Sequence, residues 1–136
     1  MNSIGDTHLR SWVLDYMILL AADTGDQLGW LGEREVATED VVEEGEALCR
    51  MSEGLTERGA FTPGELLALR AVGRRLVGTD APSRVGLWGD ALRADPAWDD
   101  LRPLARHVLV TTLGDWRQPL PRAPRPHTNS RGRDQA

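Results

Sequence analysis

Residues 62–78 read TPGELLALRAVGRRLVG, and the way this stretch folds decides the class of the chain. Thr62 carries an oxygen that can accept from a free backbone N–H, Pro63 suits a first helical position, and Glu65 stands three residues on, where it can reach back. Leu66, Leu69, Val72, Gly73 and Leu76 then recur at spacings of three and four, which line one side of a helix, and Gly78 closes the run. The stretch predicts a capped, one-sided helix.

The same period extends in both directions. Upstream, Thr38 is a candidate cap for a helix with Val41, Val42, Gly45, Leu48, Cys49 and Ser52 inward and Gly54 as its end. Before it, Leu9, Trp12, Val13, Tyr16, Met17 and Leu20 predict a first helix running from Asp6 or Thr7 toward a stop at Gly25. Downstream, Asp80 or Ser83 heads a short helix carrying Val85, Leu87, Trp88, Ala91 and Leu92, weakened by Gly86 and Gly89. Asp95-Pro96 starts the last stretch, whose stripe is Leu101, Leu104, Ala105, Val108, Leu109, Thr112 and Leu113, ending at Gly114. Pro103 suggests a short turn ending near Asp100, followed by a separate longer helix.

No segment alternates with the period of two that a half-buried strand needs. The expectation is an all-α, compact, bundle-like domain of about five helices over residues 1–116. Residues 117–136, RQPLPRAPRPHTNSRGRDQA, hold five arginines, four prolines and almost nothing large and apolar, which predicts a disordered basic tail. No fixed-period repeat interrupts this plan.

Charge is distributed unevenly. Residues 1–60 sum to −9, residues 61–116 to zero and residues 117–136 to +4, within a net charge of −5 for 136 residues. All 16 cations are arginine, a bias that fits a GC-rich, bacterial coding sequence. One cysteine, Cys49, excludes a disulfide framework and a thiolate zinc site. Residues 1–10 lack the basic start and apolar run of a signal peptide, and no apolar run is long enough to span a bilayer. These features place the chain in the cytoplasm, away from membranes.

Chemistry is sparse. There is no Glu-x-x-His, Gly-x-Ser-x-Gly or phosphate-binding glycine loop, and His8, His107 and His127 stand apart, so neither a catalytic residue, a metal nor a cofactor is expected. The densest feature is residues 38–46, TEDVVEEGE. Glu39, Glu43 and Glu46 share one side of the helix and Asp40 and Glu44 a neighbouring one. The helix N-terminus supports Glu39 and Asp40, while Glu43, Glu44 and Glu46 lie beyond its reach. Such a run is either a solvated face or a docking face for a basic protein, which it would steer electrostatically. Trp30, in the glycine- and acid-rich connection of residues 23–40, either covers the core or anchors that partner.

The leading expectation is therefore an interaction module that binds a basic protein partner through Trp30, Glu39, Asp40, Glu43, Glu44 and Glu46, with an inhibitor or immunity-type protein as one form. A ligand-binding or catalytic bundle around Trp12, Tyr16, Trp88 and His107 is the alternative. A nucleic-acid regulator using Arg70, Arg74, Arg75 and the tail is a third, disfavoured by the acidity of the rest of the chain. Arg70 and Arg74 have a plainer role available, pairing with acids of the preceding helix. An apolar face too wide for one core would indicate a homodimer.

Overall fold

The computed structural model describes residues 4–121. Its best-defined helix start is the one read first in the sequence. Thr62 Oγ1 accepts from the Glu65 amide at 3.1 Å, and Glu65 Oε1 accepts from the Thr62 amide at 2.7 Å, so two otherwise free donors are satisfied reciprocally. The helix beginning there spans Pro63–Val77 and buries Leu66, Ala68, Leu69, Val72 and Leu76.

Six helices are present among the described residues: α1 (Ile4–Ala21), α2 (Thr24–Leu31), α3 (Thr38–Glu57), α4 (Pro63–Val77), α5 (Trp88–Ala94) and α6 (Ala97–Leu113). A 3-10 turn at Ala81–Arg84 precedes α5. The all-α expectation holds, and no strand occurs among the described residues beyond an isolated antiparallel bridge between Ala37 and Leu87. The long helices α1, α6, α4 and α3 pack in that order around one core, α3 returning to α1, while α2 and α5 pack together at one flank. Val13, Met17, Val42, Leu55, Leu69, Val72, Leu76, Trp88, Ala105, Val108 and Leu109 are wholly buried within it.

Several local expectations are corrected. Gly25 is not a stop: α1 already ends at Ala21, and Gly25 lies inside α2. That extra helix forms because tertiary contacts hold a weak sequence. Buried Gln27 donates Nε2 to the carbonyls of Leu19 and Leu20, and Arg102 bonds Gln27 Oε1 and Thr24 Oγ1. Thr38 is no cap. Ala37 precedes α3, and buried Thr38 is its first residue, its amide donating to the Gly86 carbonyl while Trp88 N donates to Val36 O. Gly54 does not end α3, which continues to Glu57 because Leu55 enters the core, a gain larger than the ~1 kcal/mol cost of glycine in a helix.

The stretch from Asp80 divides at Gly86, whose φ of 82° lies in the left-handed region, into the 3-10 turn and a shorter α5. Pro103 lies inside one continuous α6. Trp12, read as core, is 45% exposed.

Past the left-handed Gly114, the chain does not leave the molecule at Arg117. Trp116 stacks beneath the Arg106 guanidinium at 3.6 Å from its ring centroid, Leu120 packs partly buried on the core, and the Trp30 indole donates to Pro121 O at 2.9 Å. The rest of the predicted tail, residues 122–136, lies outside the described residues.

Candidate protein-binding cleft

The five carboxylates of residues 39–46 have different surroundings along α3. On a 3.6-residue helix, Glu46 and Glu39 fall at one edge of the solvent side of α3, Glu43 and Asp40 at its middle and Glu44 at the opposite edge. Arg84, on the 3-10 turn, closes the first edge: it donates to Glu39 at 3.1 Å and Glu46 at 2.7 Å, and to the Leu76 and Thr79 carbonyls. The bond to Glu46, ahead of smaller contributions from Glu39, holds the Arg84 guanidinium above its ordinary pKa. Arg84 thus ties both carboxylates to the 3-10 turn, Glu46 largely covered and Glu39 with its side chain still 47% exposed.

At the other edge, Glu44 Oε2 accepts from the Trp12 indole at 2.9 Å. Asp40 and Glu43, between the edges, are exposed and make no ion pair among the described residues. The ridge that remains for another molecule is Asp40, Glu43 and Glu44.

This ridge borders a cleft of about 270 Å³. Helix α1 supplies Trp12, Asp15, Tyr16 and Leu19, which stand at i, i+3, i+4 and i+7 and so share one face. Helix α2 supplies Trp30, α3 supplies Val41 and Glu44, α5 supplies Trp88, and Val36 and Pro121 complete the wall. Among the described residues, the lining contains three tryptophans, a tyrosine, two carboxylates and no cation. Tyr16 OH donates to Val41 O at 2.7 Å, which ties α1 to α3, and burial pushes its pKa well above the usual phenol value. Partial burial also raises the pKa of Asp15, a residue that otherwise remains exposed.

Trp30 lies on both sides of the alternative posed by the sequence, half-buried against the core and lining the cleft. The cleft itself was only partly legible. Trp12, Tyr16 and Trp88 do come together, as the ligand-pocket alternative required, but His107 is exposed on α6 and is not among the lining residues. Asp15 and Glu44 were missed as a pair. The available signal was a tryptophan at the margin of a helical stripe with an acid three residues on.

The remaining candidates have structural partners. Arg70 grips Glu53 through two bonds of 2.7 Å, as the pairing with α3 anticipated, whereas Arg75 pairs with Asp100 of α6 at 3.1 Å. Arg74 is exposed on α4. Burial pushes the Cys49 thiol up to about 12, which makes it a weak nucleophile. No group of three side chains suited to hold a metal occurs among the described residues, and no described helix is long and apolar enough to cross a membrane. Comparison with protein-family models, with curated proteins and with solved structures finds no match to this chain.

Proposed function

We propose that the protein is a helical interaction module whose partner is a basic protein segment, received along Asp40, Glu43 and Glu44 and anchored in the neighbouring cleft. One observation carries this reading: among the described residues, a ridge of carboxylates without paired cations runs directly into an aromatic cleft lined by two carboxylates and no cation. Acids along the approach accelerate encounter and reject acidic competitors, while buried aromatic area supplies the short-range affinity that exposed charge pairs lack. A cytoplasmic setting accords with the lone cysteine, Cys49, which is free and half-buried.

A fluorescent nona-arginine peptide titrated into the full chain tests the reading by anisotropy. Binding should weaken with salt, and the pair Asp40→Arg, Glu43→Arg should reduce affinity about tenfold, about 1.4 kcal/mol. Asp90→Arg, at an exposed site on α5, is the control and should change affinity less than about twofold. No binding at low salt, or an equal loss in the control, overturns the reading.

A further inference from the structure

Residues 118–121 read Gln-Pro-Leu-Pro, and each of the four is a proline or precedes one. Proline fixes its own φ and drives the residue before it away from the helical region, so covalent chemistry alone favours an extended stretch here. Accordingly it belongs to no helix and makes no backbone–backbone hydrogen bond among the described residues. Carbonyls of such a chain must find their donors elsewhere. One does so: the Trp30 indole, a group that donates and cannot accept, bonds Pro121 O at 2.9 Å. Leu120, between the two prolines, packs partly buried against the core.

We propose that the Trp30 side of the cleft is a binding site for an extended proline-rich segment of a partner protein, and that residues 118–121 are its cis ligand in the free protein. Proline-rich chains dock in grooves walled by aromatic side chains, and Trp12, Tyr16, Trp30 and Trp88 line the cleft of which Pro121 is also a wall. A polyproline chain offers carbonyls and few amides, so a site that reads it needs donors, which the Trp30 N–H supplies. Because that chain is extended before it binds, ordering it costs little entropy, which favours docking of a short segment.

The cis ligand is seated in a way that permits exchange. Upstream, the Trp116 ring is contacted by the Arg106 and Arg117 guanidinium groups, 3.6 and 4.7 Å from its centroid, which fixes that end. Between the strap residues Trp116 to Leu120 and the α1–α2 corner at Ile18, Ala22 and Asp26 lies a space of about 460 Å³, so this stretch is incompletely packed. Tethering offsets the weak packing by raising the local concentration of the strap. A partner segment that packs better displaces residues 118–121 while Trp116 stays in place. The inference rests on the preceding reading in one respect: it names the anchoring end of the partner that the acidic ridge steers.

The probe is a neutral fluorescent peptide that repeats Pro-Leu-Pro, titrated into the full chain and into its variant Pro119→Gly, Leu120→Ser, with helix content compared by circular dichroism. The variant should bind about fivefold more tightly, because its cis competitor is weakened, and Pro121→Ala alone should act in the same direction by a smaller factor. Adding Trp30→Phe to the variant keeps an aromatic ring, removes the donor and should reduce affinity several-fold. In heteronuclear NMR the Trp30 indole N–H signal should move between the full chain and the variant. Equal affinity of all forms, no binding by any, or equal binding of a peptide with alanine in place of proline overturns the inference. Because nona-arginine carries charge and this probe carries none, the two readings separate. Binding of nona-arginine without the proline peptide keeps the interaction module and removes the proline site, and the reverse removes the basic-partner reading alone. A Trp30 signal that changes with protein concentration seats the strap on a second copy and overturns the cis arrangement.

Discussion

Gly45 is where a single missing side chain sets the spacing of three helices. A Cβ there would collide with Tyr16 OH, and it would stand 2.6 Å from Leu76 Cδ1, so α1, α3 and α4 can approach only because position 45 has none. Gly45→Ala should therefore destabilise the protein by about 1–3 kcal/mol in a urea titration, despite the better helix propensity of alanine. Cys49 lies near the next crossing, where a Cβ on Gly73 would come within 3.1 Å of its own. With its thiol raised from 9 to about 12, chiefly by burial, it should resist Ellman's reagent in the native state at mildly alkaline pH and react fully in denaturant. The same shift has a stability consequence. The folded protein holds this proton more tightly than the unfolded chain, so the contribution is complete below about pH 9 and is lost as pH climbs toward about 12. Tyr16, raised by burial in the same direction, adds to this alkaline limb.

Helix ends show how unequal the local signals are. The start of α4 is held by its own four residues, and Thr62→Ala should cost about 1 kcal/mol in thermal unfolding, with Thr62→Asp largely retaining the cap. The end of α1 has no such local device. Its final carbonyls are met by α6 instead, where Arg106 Nε donates to Ala21 O and Arg102 Nε to Ala22 O, both at 2.8 Å. The two arginines are four apart, so they reach the same face of α6, and their positive charge sits at the negative end of the α1 dipole. Arg102 then continues to Thr24 and Gln27, which is why α2 can begin where glycine-rich sequence offers little propensity. Nothing in residues 21–24 reports a partner some eighty positions away.

Across the whole molecule, the acidic front half is balanced unevenly. Asp6 meets Arg58 at 2.9 Å, Asp23 meets Arg106 at 2.8 Å, and Arg84 takes Glu39 and Glu46, while Asp40 and Glu43 face solvent. Arg84→Met should lower stability by about 1–3 kcal/mol, since it strips two carboxylates and two carbonyls of a donor at a side chain only 21% exposed. Adding Glu39→Gln and Glu46→Gln should recover part of that loss, a coupling readable in a mutant cycle. Denaturation by urea is the suitable measurement, because an ionic denaturant would screen the effect.

The helical class, the long stripes of α1, α3, α4 and α6 and the cap at Thr62 were determined by the sequence itself, since each depends on residues within a few positions of one another. The aromatic and acidic residues of the cleft were visible there too, but only as scattered candidates. Their grouping was decided by tertiary structure: Trp12, Trp30, Glu44, Trp88 and Pro121 come from separate elements, and helix packing alone makes them neighbours. The same holds for the carboxylates of α3. Local spacing puts them on adjoining sides of one helix, yet whether each stays free depends on a guanidinium 38 to 45 residues away that only chain closure delivers. Short-range periodicity encodes elements, whereas electrostatic pairing and cavities arise from contacts between residues distant in sequence, for which a single chain carries no local mark.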